Sequence, residues 1–255
     1  MARLIVTALY FSEEQGFTIA NMNELRPDEE FVIKALAEIL GGNWSAGENP
    51  PDAYLKFDSK TVAVEISTLT QPLFNGTEFC NERRSDDEGA LKLCEELDYE
   101  LKGQIPVGIY VNLSLSAPIQ KLRKFKILLA TKILECSSKM IDCEYEDEIL
   151  ENKIDIHIIS GVRPSGTKIV GIVSNSRSNA DILANALFAL KDRLEVKSQK
   201  IKSIKHDGEC WLALFNDYWL ADEVTYRRAM SLSKVVHPFS RVYVVFDSKK
   251  VVQIA

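Results

Sequence analysis

The sequence lacks the features that mark several large classes of protein. It has no run of 18 apolar residues, so no segment is predicted to cross a membrane. Its five cysteines include no closely spaced pair, which argues against a zinc site. The start, "MARLIVTALYF", has no small-residue cleavage site and is interpreted as a first strand or helix. Reduced thiols and a cytoplasmic location are therefore expected.

Histidine is also scarce, and the net charge is not basic. The three histidines, His157, His206 and His237, are far apart, and no GxSxG motif accompanies them. A hydrolase triad is therefore not predicted. His157 stands between Ile156 and Ile158 and is interpreted as an ordinary sheet residue. The net charge of −6 gives no overall attraction to nucleic acid, so such a contact would need a local basic patch.

The pattern that is present indicates alternating helices and strands. "RPDEEFVIKALAEILGG" predicts a helix that begins near Pro27 and ends at Gly41. Helices then alternate with strands along most of the chain, which predicts an α/β domain with a mixed sheet. "LTQPLFNGTEFCNERRSDDEG" is predicted to be a long loop. The 255 residues are assigned to one domain, with a core at about 25–175 that residues 176–255 complete.

One predicted hairpin, "NPPDAYLKFDSKTVAVEIST" at residues 49–68, carries acids near both ends. Val62, Val64 and Ile66 alternate with Glu65, although strand interiors are depleted in glutamate. Because the hairpin brings its ends together, Asp52 and Glu65 are expected to lie close to each other.

A third acid, Glu29, lies on the inward stripe of the first predicted helix. Converging carboxylates repel one another unless a cation neutralises them. Oxygen ligands with open water positions suit Mg²⁺ or Mn²⁺. The predicted metal ligands are therefore Asp52, Glu65 and Glu29.

This order of elements resembles the PD-(D/E)xK nuclease superfamily, which has the restriction-endonuclease-like fold. Glu29, or its neighbour Glu30, matches the helix acid, Pro51-Asp52 matches the PD element, and Glu65 opens the Glu-x-Lys element. The resemblance covers roughly residues 27–68. It implies a three-layer domain in which helices flank a central mixed sheet. It also implies metal-dependent hydrolysis of phosphodiesters in DNA or RNA, with DNA favoured.

The chain departs from the family at one catalytic position. The lysine that normally follows the glutamate by two residues, where it positions or deprotonates the attacking water, is Ser67 here. Serine carries no charge at neutral pH. Some members of the superfamily take the lysine from elsewhere, and the candidates are Lys56, on the same hairpin face as Asp52, and Lys92 on the next helix.

Several basic residues could contact a phosphate backbone. The loop cations and the run "KLRKFK" are the predicted nucleic-acid contacts, namely Arg83, Arg84, Lys121, Arg123 and Lys124. A second basic stripe covers residues 191–205. For either run taken alone, a solvated helix face is the preferred interpretation. A homodimer is left open, because many enzymes that cut two strands are symmetric.

Two other interpretations stay open at this stage. The first is a catalytically inactive protein of the same fold that serves as a binding or assembly module, which Ser67 favours. The second is an unrelated α/β protein whose acids lie on the surface. Acids in a first helical turn complement the helix dipole without any metal, and Glu65 would then lie on the solvated face of an edge hairpin.

Overall fold

The structure is a computed structural model that describes residues 25–76, 78–161, 166–203 and 208–255. The expected first element "MARLIVTALYF" and His206 lie outside these ranges. The described chain forms two compact units. The split unit comprises residues 25–72 and 179–255, and the middle unit comprises residues 73–178.

Five α-helices and twelve strands are formed by the described residues. The helices are α1 (Pro27–Leu40), α2 (Arg83–Leu101), α3 (Leu122–Ser138), α4 (Ile182–Lys200) and α5 (Glu223–Ser233). The strands are β1 (Asn43–Ala46), β2 (Ala53–Lys56), β3 (Thr61–Leu69), β4 (Pro72–Asn75), β5 (Glu78–Glu82), β6 (Ile109–Ala117), β7 (Cys143–Ile149), β8 (Asn152–Ser160), β9 (Ile169–Asn175), β10 (Cys210–Asn216), β11 (Arg241–Val245) and β12 (Val251–Gln253).

The split unit is built on a mixed six-stranded sheet in the order β1-β2-β3-β10-β11-β12. The first three strands form an antiparallel meander, and β3, β10 and β11 run parallel to one another. The turn between β2 and β3 is closed by a hydrogen bond from the Phe57 amide to the Lys60 carbonyl, as the hairpin prediction required. The predicted mixed α/β architecture is thus confirmed.

Helices cover both faces of this sheet. Val62, Val64 and Ile66 of β3 share one buried cluster with Val32 and Leu36 of α1. Proline at the first helical position and Gly41 in the left-handed conformation at the end fix the limits of α1.

The opposite face of the sheet packs on α4 and α5. Leu212 and Leu214 of β10 belong to a second cluster with Leu190 of α4 and Tyr226 of α5. The alternate residues of β3 face this second side, and Glu65 is among them because it lies opposite Leu212.

The middle unit has its own four-stranded sheet in the order β7-β8-β6-β9. One face of the sheet packs on α2 and α3, where Ile154, Ile156 and Ile158 of β8 join Leu97 and Phe125 in a common core. The strands β4 and β5 pair separately. This hairpin overturns the prediction of a long loop after residue 68, since Asn-Gly at 75–76 marks a turn between two short strands.

The boundary between the units at residue 72 was not predicted from the sequence. The boundary at residue 178 lies near residue 175, where the predicted core ends. Beyond the hairpin, β3 pairs with β10 and contacts α4. Residues 73–178 therefore lie in the sequence between β3 and both of these elements. Compact units can still belong to one folding domain, and the single-domain assignment stays a prediction. Among the described helices, none combines the length and apolar character that spanning a bilayer demands.

The loop that delivers Asp52 depends on the lack of a side chain at Gly47. A Cβ atom there would lie 2.1 Å from the carbonyl oxygen of Pro51. We expect Gly47→Ala to lower the free energy of unfolding by about 1–3 kcal/mol, as overpacking does. Denaturant unfolding measures this change. The matched control is Gly89→Ala in α2, where a Cβ has open space and helix propensity favours alanine. Equal stability of Gly47→Ala and the wild type would contradict the prediction.

Candidate active site

Asp52 and Glu65 meet on the face of the sheet that packs on α4. Asp52 immediately precedes β2, whose first residue, Ala53, pairs with Val64 of β3. The antiparallel register therefore places Asp52 opposite Glu65. The Ile66 amide donates a hydrogen bond of 2.7 Å to Oδ2 of Asp52, which fixes this carboxylate against β3.

Both carboxylates are buried, with exposed fractions of 5% for Asp52 and 1% for Glu65. β3 lies in the interior of the sheet, between β2 and β10. The interpretation that Glu65 occupies the solvated face of an edge hairpin is therefore wrong. Surface placement of these two acids is excluded by the same observation.

Two lysines of α4 neutralise the pair. Nζ of Lys197 donates to Oδ2 of Asp52 at 2.9 Å and to Oε2 of Glu65 at 2.8 Å. Nζ of Lys200 lies 2.9 Å from Oδ1 of Asp52 and 3.3 Å from Oε2 of Glu65. Two ammonium groups thus face two carboxylates, and the charges balance. We call these four residues the acid–lysine cluster.

The surroundings of the two carboxyl groups shift their pKa values in opposite directions, down for Asp52 and up for Glu65. Burial alone would raise the pKa of Asp52, but the charge of Lys197 and the Ile66 amide hold that pKa below its usual value. Burial and the charge of Asp52 together raise the pKa of Glu65. The first proton to enter the pair therefore goes to Glu65. Burial opposes ionisation of Lys200, yet its bonds to Asp52 and its attraction to Glu65 raise its pKa.

One carboxylate oxygen in the cluster lacks a donor. Oε1 of Glu65 is buried and has no hydrogen-bond partner within the described parts of the chain. A buried acceptor without a partner costs free energy. A cation at this oxygen would remove that cost, and Asp52 and Glu65 together offer the oxygen donors that Mg²⁺ prefers.

The structure places Glu29 in the first turn of α1, where it acts as a capping residue. Its Oε2 accepts a 3.0 Å hydrogen bond from the Arg26 amide, and its Oε1 lies 3.0 Å from the Arg26 guanidinium. Glu30, the alternative helix acid, pairs with Lys34 at 2.7 Å. Helix capping thus accounts for Glu29 and an i,i+4 ion pair accounts for Glu30, and the metal-ligand role of Glu29 stays a prediction.

The predicted catalytic lysines lie elsewhere. Lys56 is exposed at the far end of β2, four residues from Asp52, which amounts to about 13 Å along a strand. Lys92 is exposed on α2 in the middle unit. The cations that contact the carboxylates are instead Lys197 and Lys200.

The predicted nucleic-acid contacts all belong to the middle unit. Arg83 pairs with Asp87 at 2.8 Å, and Lys121 pairs with Glu151 at 2.6 Å. Arg123 and Lys124 are exposed in the first turn of α3, and Arg84 lies at the start of α2. Their contact with nucleic acid stays a prediction.

Lys197 and Lys200 were recognised in the sequence only as part of a basic stripe. A sharper signal was available in the spacing of α4. Leu190, Leu194 and Ile201 are buried at positions i, i+4 and i+11. Lys197 occupies position i+7 of that stripe, where an apolar residue is expected. A lysine on the core-facing stripe of a helix requires a buried partner, and here the partners are the two acids.

The acid–lysine cluster gives stability a specific dependence on pH. Because the pKa of Glu65 is raised, the folded state holds a proton that the unfolded state has released above about pH 4.5. The contribution of Glu65 is fully favourable below that pH and is lost as the pH rises through its folded pKa. As the pH rises from about 4.5 through the folded pKa of Glu65, the free energy of unfolding of the wild type should therefore fall relative to that of Glu65→Gln. The slope is at most about 1.4 kcal/mol per pH unit. Chemical unfolding at successive pH values measures the difference.

The control for this experiment is Glu38→Gln. Glu38 is exposed on the surface and lies 3.5 Å from Lys249, so its removal should leave the pH dependence parallel to that of the wild type. Parallel curves for wild type and Glu65→Gln would show that Glu65 ionises normally.

Comparison with known proteins finds a distant similarity to part of a plant protein. The chain is 25% identical over 180 residues to filament-like plant protein 6 of Arabidopsis thaliana, a match that covers 70% of this chain and 15% of that protein. The chain thus matches a small part of the relative's length. No family model and no solved structure matches the chain.

Proposed function

We propose that the protein is a metal-dependent phosphodiester hydrolase that acts on nucleic acid, with the acid–lysine cluster as its active site. The observation that carries this proposal is the convergence of two buried carboxylates with two lysine ammonium groups, in which the ammonium nitrogens lie 2.8–3.3 Å from oxygens of both carboxylates. A PD-(D/E)xK site needs two acids and a lysine. Here Lys197 and Lys200 supply the cation that Ser67 lacks.

The order of elements supports the same proposal. In the split unit a helix, an antiparallel meander, a second helix and a strand parallel to β3 follow one another as α1, β1–β3, α4 and β10. α1 packs on one face of the sheet and α4 on the other. This arrangement is what the resemblance implies for a restriction-endonuclease-like domain, with residues 73–178 placed between the meander and the second helix.

The donor set fits Mg²⁺ or Mn²⁺, because Asp52 and Glu65 offer only oxygen atoms and one of these has no donor. Such an ion, when bound, activates water and stabilises charge on phosphate. Asp52, held by the Ile66 amide, presents a carboxylate that stays ionised because its pKa is lowered. Glu65 would complete the ligand set from β3.

The two lysines are assigned different tasks. Lys200 is the more accessible, with 31% of its side chain exposed against 12% for Lys197. Its raised pKa keeps it cationic at neutral pH, so it suits electrostatic stabilisation of a phosphate oxygen and not proton abstraction. Lys197 bridges both acids and therefore positions them.

A second candidate function is the non-catalytic module. One observation favours it: both acids already have ammonium partners, which gives a charge-neutral cluster that is stable without an ion. Under this alternative the cluster stabilises the split unit and performs no chemistry.

Cleavage assays separate the two functions. Single-stranded, double-stranded and branched DNA and RNA are incubated with the protein in Mg²⁺ or Mn²⁺. We expect metal-dependent cutting that Asp52→Asn and Glu65→Gln abolish. We also expect Lys200→Met to reduce the rate by about 100–1,000-fold, the cost of removing one preorganised electrostatic donor, and Lys200→Arg to restore part of it.

The control is Lys191→Met, which removes a lysine from the same helix, six residues before Lys197. Its rate should match the wild type. Absence of cutting on every substrate, or equal cutting by wild type and Glu65→Gln, would overturn the nuclease proposal and favour the module. Circular dichroism of each variant verifies that the fold is retained.

A further inference from the structure

A second group of metal-ligating side chains lies on the middle unit, apart from the acid–lysine cluster. Glu144 of β7 and His157 of β8 are direct cross-strand partners. Asp155 precedes His157 by two residues and therefore points to the same face of the sheet. One ligand atom from each of the three residues lies within 4.8 Å of the other two.

This face is the one directed away from the helices of the middle unit. Ile154, Ile156 and Ile158 fill the core beneath α2 and α3, so the alternate residues Asp155 and His157 face the other way. Cys143 packs against that same core, which leaves its neighbour Glu144 on the face of His157. The thiol is thus excluded from the group, and the donors are one imidazole and two carboxylates.

The distances bring both carboxylates to the same imidazole nitrogen. Nε2 of His157 lies 2.6 Å from Oε1 of Glu144 and 3.1 Å from Oδ1 of Asp155. This nitrogen is buried, yet within the described residues it has no partner that meets hydrogen-bond geometry. Two carboxylate oxygens thus lie close to one nitrogen, and neither contact has the geometry of a hydrogen bond to that nitrogen.

A shared ion explains this arrangement. Ligand bonds of about 2.0–2.2 Å at tetrahedral angles require donor atoms roughly 3.3–3.6 Å apart. The Asp155–His157 separation of 3.1 Å lies just below this range. Oε1 of Glu144, at 2.6 Å from the same nitrogen, needs to withdraw by somewhat less than about 1 Å. Half of the Glu144 side chain is exposed, so the more exposed carboxylate is the one that must adjust most.

The donor types select the ion. Imidazole suits Zn²⁺, Cu²⁺, Ni²⁺ and Fe²⁺, whereas Mg²⁺ and Ca²⁺ prefer oxygen ligands alone. Three protein ligands also leave a coordination position for water or a further ligand. We propose that Glu144, Asp155 and His157 form a binding site for a divalent transition-metal ion of the Zn²⁺ class on the β7–β8 face of the middle unit.

The test uses the full chain without a polyhistidine tag. Zn²⁺ is titrated in the presence of excess Mg²⁺, which competes for the oxygen donors of the acid–lysine cluster. The reporters are the imidazole resonances of the three histidines, observed by NMR, together with the visible absorption of Co²⁺ in a parallel titration. We expect saturable Zn²⁺ binding that shifts the resonances of His157 selectively.

Variants establish which residues hold the ion. Glu144→Gln should weaken Zn²⁺ binding at least about tenfold, because a ligand loses its charge, and His157→Asn should abolish the Co²⁺ spectrum. The matched control is Glu148→Gln, which removes the same charge from β7 at a position that pairs with Lys153. Its Zn²⁺ affinity should equal that of the wild type. His237→Asn controls for loss of an imidazole elsewhere.

The outcomes are decisive in both directions. Selective shifts of His157, lost in Glu144→Gln but retained in Glu148→Gln, support the site. Unchanged His157 resonances at saturating Zn²⁺, or equal affinity of Glu144→Gln and wild type, would overturn it and leave a cross-strand contact between His157 and the two carboxylates. Neither result depends on nuclease activity, because the acid–lysine cluster contains no histidine.

Discussion

The burial of two neighbouring carboxylates on one sheet face is the constraint on which the split unit depends. Asp52 and Glu65 are almost inaccessible to solvent, and two buried negative charges at such a distance are untenable without compensation. The compensation comes from lysines that lie 132 to 148 residues further along the chain. This electrostatic requirement links the meander to α4, which otherwise contacts the sheet through aliphatic packing.

The split unit also accommodates 106 intervening residues, from 73 to 178, between its two parts. β3 and β10 pair in parallel over seven residues, from Ala63 opposite Cys210 to Leu69 opposite Asn216. Two parallel strands always need a crossover connection that returns the chain to the end of the sheet at which the first strand began. Here that connection contains a complete second sheet with its own core, so the chain leaves the split unit and returns to it with the helix that carries Lys197 and Lys200.

Local patterns in the sequence predicted what depends on local chemistry. Proline and acids marked the start of α1. The Asp-Ser-Lys turn between β2 and β3, together with an isolated glutamate among valines, was sufficient to predict that Asp52 and Glu65 lie close together. The partners of these acids were not predicted, because hydrogen bonding between residues 52 and 197 is a property of tertiary packing that no spacing rule encodes. Lys56 and Lys92 were favoured for being near in sequence, which carries little weight when β3 pairs with a strand 147 residues later. The polar composition of residues 69–89 concealed β4 and β5 in the same way, because strand pairing there follows from the turn and not from an apolar pattern.

Both groups of ligand-bearing side chains arise from one rule of strand geometry: residues on one face of paired strands converge. In the split unit the rule joins Asp52 to Glu65, and in the middle unit it joins Glu144 to His157 and Asp155. The environments then differ. The first group is buried, offers only carboxylate oxygens and is balanced by two lysines, whereas the second is partly exposed and contains an imidazole nitrogen.

The central claim, that Glu65 and Lys197 interact directly across 132 residues of sequence, is tested most directly by a double-mutant cycle. The free energy of unfolding is measured for wild type, Glu65→Gln, Lys197→Met and the double variant at neutral pH. The account predicts that the effects are not additive, with a coupling energy of at least about 1 kcal/mol, as found for residues in one ion-pair network. Additivity within about 0.5 kcal/mol, the behaviour of distant independent sites, would contradict it.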